Sequence, residues 1–345
     1  MEVAEYTDRY WKPLNRFWRI MKLNLAHEPD VFRWKYLDAP AARAGARLFL
    51  VVVEEGEVVG TLGFTECPVY VHGQRLMSCA FNDWYIHPRL RGKRMGDRLM
   101  PYFTGRPAEV KLYFLSSPPS IKASLRHGFT ELHGIAAYVE HLAYLAKARA
   151  AIHGAWRKVA GRPRRRRRMS PHLKRLEHLD PEVKVLEASE RQVNELLARY
   201  QLQYPFACAR SMEYLRWKYL EHPKDLGVLL QLTGEAGQLR AIFALAWRSA
   251  GISDALLLAD VYYDRRRPQD LKRILRFHRE AALVMRANSR SIYTGNRELT
   301  EAAQESGMTL AREHLNGFRD DSHIGLDPST LPEWYTCGGD SDYVS

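Results

Sequence analysis

Residues 86–99 read Ile-His-Pro-Arg-Leu-Arg-Gly-Lys-Arg-Met-Gly-Asp-Arg-Leu. A strand end passes through a proline into a basic, glycine-containing loop, and the loop into a helix. Such a turn presents unpaired backbone N–H groups at the helix start, where the helix dipole adds positive charge. Together they bind phosphate without needing any particular side chain. Gly92 and Gly96 supply backbone freedom and close approach. Arg91, Lys93 and Arg94 add charge suited to a diphosphate. Arg94, however, stands where a further glycine would serve best. Its Cβ and long side chain are expected to shift the loop or weaken its grip on an anion.

The elements that must hold this loop occur twice. Residues 32–40 read FRWKYLDAP and residues 215–223 read LRWKYLEHP. Each is followed by two apolar strands around a glycine turn, LFLVVVEEGEVVGTLGF and GVLLQLTGEAGQLRAIFAL, which signals a hairpin. Next come SCAFNDWYIHP and SDALLLADVYYD, strands that share Asp-x-Tyr at Asp83/Tyr85 and Asp260/Tyr262. A helix follows each, then a strand (KLYFL or SRSIYT) and a short helix closed by HGFTEL or SGMTLA. The ordered series indicates a duplication. Each copy reads helix, helix, hairpin, long strand, helix, strand, helix, final strand, with IAAYVEHLAY the final strand of the first. The result is a mixed α/β architecture. The second copy has YYDRRRPQDLKRIL, residues 262–275, where the loop should be. It contains no glycine and is interrupted by Pro268, so a close backbone cradle is not expected there.

The chain has 345 residues, and a prior of roughly 150 residues per domain suggests two domains. Cys67, Cys79, Cys208 and Cys337 lie far apart, which argues against a disulfide framework or zinc ribbon. No His/Cys/Asp spacing suggests a metal. The net charge is +12, and twelve Lys and Arg with no Asp or Glu fall between His141 and Arg175. Outside this segment the chain is therefore close to neutral, unlike a nucleic-acid-binding domain that spreads its charge over a folded face. The first half of the segment has the spacing of an amphipathic helix, and GRPRRRRRMSP is expected to be a solvated charge run. The N-terminus is charged from its second residue and no apolar run reaches the ~20 residues of a membrane span. These features place the protein in the cytoplasm by expectation.

The stretch DWYIHPRLRGKRMGDRL resembles the acyl-coenzyme A loop of the GCN5-related N-acetyltransferases (GNAT superfamily). Ile86, Pro88, Arg91 with Gly92, Gly96 and Leu99 match that family's pattern; Arg94 departs from it. LRHGFTEL is similar to the family's last-helix signature. The WKY-x-x-x-Pro helix is similar to that of a subset among cell-surface polysaccharide and antibiotic-type acetyltransferases. The resemblance covers most of residues 1–140 and, more faintly, 181–320. It implies two tandem GNAT-like domains, each a mixed, mostly antiparallel twisted sheet flanked by helices. Their boundaries are expected at 1–141 and 180–345, joined by a basic helix and polyarginine linker at 142–179.

The resemblance further implies an acyl-coenzyme A-dependent N-acyltransferase. Acetyl-coenzyme A or a longer acyl relative would be co-substrate, without metal, and an amine would attack directly. Tyr85, Ile86, Arg91, Gly92, Lys93, Arg94, Met95 and Gly96 are expected to bind the cofactor, with a backbone N–H near Ile86 polarising the thioester carbonyl. Strand alternation puts Asp83, Tyr85 and His87 on one face, and Asp83 is the first candidate base, although Asp260 at the matching place points to a structural role instead. The family often uses a tyrosine acid four residues before the Gly-Phe glycine; here Ser124 stands there, with Tyr113 a substitute or a core residue. The expected acceptor is a small molecule such as an amino sugar or amino acid derivative. Two alternatives stay open. One is transfer of aminoacyl groups from transfer RNA, as in tandem cell-wall enzymes of this fold, although nucleic acid is not the favoured partner. The other is a non-catalytic protein held on an anionic membrane surface, peripheral to its inner face, by residues 142–168. The aromatic run RYWKPLNRFWRI reads as an acceptor wall or the core face of a first helix, and WYTCGGDSD as a disordered acidic tail.

Overall fold

The structure is a computed structural model, and it describes residues 1–23, 28–113, 117–132, 135–142, 168–250, 253–313, 316–321 and 325–336. The first copy of the repeat contributes β1 (Glu2–Glu5), β2 (Phe49–Glu54), β3 (Glu57–Val71), β4 (Gln74–Ile86), β5 (Val110–Tyr113), β6 (Thr130–Leu132) and β7 (Ala136–His141). The second contributes β8 (Val183–Val185), β9 (Phe206–Cys208), β10 (Gly227–Thr233), β11 (Leu239–Ala250), β12 (Ser253–Tyr263), β13 (Ser289–Thr294), β14 (Thr309–Glu313) and β15 (Asn316–Asp320).

The two compact units do not coincide with the two copies. The first unit is Met1–His133 with His314–Pro328; the second is Gly134–Glu313 with the described residues from Ser329 to Thr336. In the first sheet the order is β1-β2-β3-β4-β5-β15-β6, and in the second it is β14-β7-β13-β12-β11-β10-β8. Reversed, the second order is the first with β7 and β15 exchanged. Along each of these orders the pairs are antiparallel except for one parallel pair, β4 with β5 and β12 with β13. This is the mixed, mostly antiparallel α/β class expected from the pattern. The location of Ala136–His141 differs from the expected boundary at 141. It pairs with β13 and β14, while β15 fills the slot between β5 and β6.

Local sequence explains most elements. Glu55 and Gly56 both take positive φ, 53° and 81°, the combination that lets a two-residue turn join twisted strands. In α1 (Trp11–Ile20), Leu14, Phe17 and Trp18 are buried, so the first aromatic run is core. α2 (Pro29–Tyr36) opens on a proline and buries Phe32, Trp34 and Tyr36. Phe32, Tyr36 and Phe49 meet with ring centroids 4.6–5.4 Å apart. The strands β1 and β8 were not anticipated: each is short and adds to one edge of its hairpin. Of the linker expected at 142–179, residues 143–167 lie outside the described residues, including nine of its twelve Lys and Arg between His141 and Arg175. Its end is folded rather than solvated: Met169 and Leu176 are fully buried, and Leu173–Glu177 is helical. The expected disordered tail likewise begins with Trp334 and Tyr335 in the core.

Candidate active site

The site is an opening beside the end of β4, beyond its ladder with β5. β5 pairs with β4 over Ser78–Phe81, and among the described residues it pairs with nothing on β4 beyond Phe81. Tyr85 faces Thr61 across the β3 ladder, and His87 N donates to Val59 O at 2.9 Å. Alternate residues of an antiparallel ladder point their N–H groups to opposite sides. The Ile86 N–H between them therefore faces the opening. A bulge lies just upstream, where Asp83 takes φ 44° and its carbonyl accepts from Thr61 Oγ1 at 2.8 Å.

After Ile86 the chain makes a short 3-10 turn at Pro88–Leu90, then the loop, then α4 (Met95–Thr104). Gly92 has φ 79°. Arg94 has φ 53° and ψ 31° at the N-cap of α4. The arginine thus adopts the left-handed bend itself, and it lines the opening together with Gly92. Such a conformation costs an L-residue about 1–2 kcal/mol. Gly96 is already helical; it matters for space, since a Cβ there would sit 2.8 Å from Trp84 Cζ2.

The opening is a cleft of about 590 Å³. Of the residues expected to hold cofactor, Tyr85, Ile86, Arg91, Gly92, Arg94, Met95 and Gly96 all line it, and Lys93 does not. Trp84, Ser117, Ser120 and Arg126 are among the lining residues that escaped the sequence reading. Trp84 forms the floor over Gly96. Ser117 and Ser120 line the wall from α5 (Pro118–Arg126), with hydroxyls 2.9 Å apart. Arg126 lines the rim and is bonded to Asp97 at 2.7 Å; this bond holds the Asp97 carboxyl below the usual carboxylate range. An α5 running on from a proline pair after a strand was the available signal for this wall.

The residues expected to move protons lie elsewhere. Asp83 accepts from Lys35 Nζ at 2.8 Å and from the Tyr36 hydroxyl. Lys35 and Asp83 are 6% and 11% exposed. The repeated Lys-Tyr motif thus locks onto the repeated aspartate, and Tyr219 likewise donates to Asp260. Ser124 is fully buried and donates to Ser120 O at 3.0 Å. One helical turn separates it from the wall, and it is not at the cleft. Tyr113 is fully buried between Phe81 and Phe129, and burial pushes its hydroxyl up to about 12. It is a core residue. His87 accepts from Arg89 N at 3.3 Å and caps the turn.

Among the described residues no group of three His, Cys, Asp or Glu could hold a metal ion, and no helix is long and apolar enough to cross a membrane.

Residues 10–129 match the model of the acetyltransferase (GNAT) family. No curated protein matches the sequence. Among solved structures, a GCN5-related N-acetyltransferase from Anabaena variabilis is similar with a TM-score of 0.60 at 10% identity, over 93% of this chain and 73% of that one. N-myristoyltransferase from Saccharomyces cerevisiae with bound myristoyl-CoA is similar with a TM-score of 0.58 at 15% identity, over 84% and 69%. The same enzyme with myristoyl-CoA and inhibitors gives 0.56 at 14% identity, over 89% and 77%. At these identities the likeness is one of fold.

Proposed function

From a chain whose residues 10–129 carry a GNAT-family domain, we propose an acyl-coenzyme A-dependent N-acyltransferase that acts on a small amine. One observation carries the reading. The Ile86 N–H faces an open cleft that ends at the left-handed Arg91–Gly96 turn and the α4 N-terminus. The pyrophosphate would rest on the amides of that turn, with Arg91 and Arg94 on the wall beside it. The thioester carbonyl would accept from Ile86 N–H, a donor fixed before the oxyanion forms. The amine attacks that carbonyl carbon, the C–S bond breaks, and coenzyme A leaves as thiolate.

The chain's share is mostly positioning. Ser124, at the expected acid position, is buried away from the cleft, so the proton that the amine nitrogen loses on attack passes through water beside the Ser117 and Ser120 hydroxyls to the departing thiolate. Asp83, tied to Lys35 and Tyr36, acts as a positioning residue that fixes the bulge ahead of Ile86.

Calorimetry with acetyl-coenzyme A tests the donor, and thiol release against a panel of amino sugars and amino acid derivatives tests the acceptor. Binding is expected for the native chain and absent in Gly96→Trp, whose fold is checked by circular dichroism. A native chain that gives no heat with acetyl- or longer acyl-coenzyme A removes the reading.

A further inference from the structure

The second unit has a counterpart of the cleft, and it is filled. Register fixes the correspondence. Phe81 closes the β4–β5 ladder opposite Tyr113, as Leu258 closes the β12–β13 ladder opposite Ile292. Counting on through the shared Asp-x-Tyr, Val261 matches Trp84. Ser117 caps α5, and Asn296 caps helix Arg297–Glu305.

Three successive residues of this chain cross from one wall to the other. Val261 N donates to the Tyr335 hydroxyl at 2.9 Å, and that hydroxyl donates to Val261 O. On the opposite wall, Asn296 Nδ2 donates to Trp334 O at 3.0 Å and Gly295 N donates to Thr336 Oγ1 at 2.8 Å. The Tyr335 ring lies 5.3 Å from Tyr262, and Trp334 stacks on Phe206 at 4.6 Å. Trp334, Tyr335 and Thr336 are 1–2% exposed. At the mouth, where the first unit has its phosphate loop, Arg265 is bonded to Glu298 at 2.6 Å and to Gln203 O at 2.9 Å.

We propose that the cleft of the second unit is a peptide-binding groove, and that its ligand is this chain's own Trp334–Thr336 segment. The open edge of β12 supplies an unpaired N–H and C=O that a hydroxyl can bridge, and aromatic side chains hold the rings on either side. The chemical class is an extended aromatic peptide ending in a hydroxyl residue. While the segment is seated, the second cleft takes no acyl-coenzyme A. Only the count of acyl-coenzyme A sites rests on the function proposed above; the groove does not.

The test uses the full chain. Tyr335→Phe and Thr336→Val remove one hydroxyl each and keep the shape of the side chain. Amide hydrogen exchange at Val261 and at Gly295, respectively, is expected to speed up roughly tenfold. In Tyr335→Ala, a synthetic peptide of residues 328–336 is expected to slow the Val261 exchange again. Unchanged exchange in Tyr335→Phe and Thr336→Val overturns the proposal, and so does calorimetry showing two acetyl-coenzyme A per native chain. One site in the native chain, lost in Gly96→Trp, supports both readings. No site, with exchange responding as stated, sinks the transferase reading and leaves the groove standing.

Discussion

Arg94 puts a charged side chain where the backbone asks for a residue without one. Its φ of 53° is the bend that favours glycine, so the native loop accepts strain for a positive charge on the cleft wall. Arg94→Ala loses the charge and keeps the strain, whereas Arg94→Gly loses both. The glycine variant should therefore be the more stable of the two by about 1 kcal/mol, after glycine's own entropy is counted. The midpoint of urea denaturation reads this difference directly, and a more stable alanine variant would refute the strain. Asp83 allows a sharper test. Its carboxylate neutralises a nearly buried Lys35, and removing one partner of a buried pair costs about 3–5 kcal/mol. Asp83→Asn and Asp260→Asn should both lower stability by amounts of that order, because Asp260 likewise neutralises a buried cation, Arg210, 3.7 Å away. If Asp83→Asn instead keeps native stability and abolishes turnover, the carboxylate is a base. The loop itself was legible in sequence because strand, proline, glycine and helix are local signals. The bend at Arg94 was not, since no side chain announces that it will accept positive φ. Ser124 and Tyr113 misled because spacing along a helix or strand does not say which face meets an opening between strands.

Among the elements, the exchange of β7 and β15 has no local signature. Only residues 133–135 separate β6 from β7, and only 314–315 separate β14 from β15. The sequence shows one final strand per copy there, and adjacency is the only guide it offers to pairing. The hairpins built on Glu55-Gly56 and around Gly234–Gly237 were legible for the converse reason, that their turn residues specify their geometry. What fixes the exchanged strands is nonlocal. Glu140 on β7 accepts from Arg290 Nε at 2.7 Å and from Arg279 Nε at 2.9 Å, and Arg290 is fully buried. Its remaining N–H groups donate to Leu275 O and Ser306 O, each at 2.6 Å. In the first unit, Lys111 on β5 is paired with Asp321 just after β15. Glu140→Gln strips the buried Arg290 of its counter-charge and should cost about 3–5 kcal/mol. Glu140→Leu with Arg290→Met removes both charges and should recover much of that loss. Urea denaturation of the two variants decides it: a Glu140→Gln chain as stable as the native one would show that β7 is held by its ladder alone.

At the scale of the whole chain, the exchange makes each sheet depend on a strand from the other copy, so neither copy can lose its fold and leave the other sheet complete. This sets the form of acid unfolding. His278, in helix Pro268–Val284, is fully buried with Nε2 on Leu256 O at 2.9 Å. Burial first, and then the Arg290 charge, push its imidazole down to about 3. The folded chain therefore keeps His278 neutral while the unfolded chain protonates it below its ordinary value of about 6.5. The unfolded state then binds one more proton between these values, so stability is full above pH ~6.5 and declines by at most about 1.4 kcal/mol per pH unit as pH falls toward 3. His278→Gln keeps a side-chain N–H for Leu256 O without a titrating group, and should flatten that decline between pH 6 and 4. Because β7 and β15 are exchanged, the loss should also be registered in the first sheet, where His278 has no part. Amide exchange in β3 and in β11, followed together from pH 6.5 to 4, is expected to accelerate at the same pH in the native chain and to resist in His278→Gln. If β11 opens several tenths of a pH unit before β3, the two sheets unfold independently and the exchanged strands do not couple them.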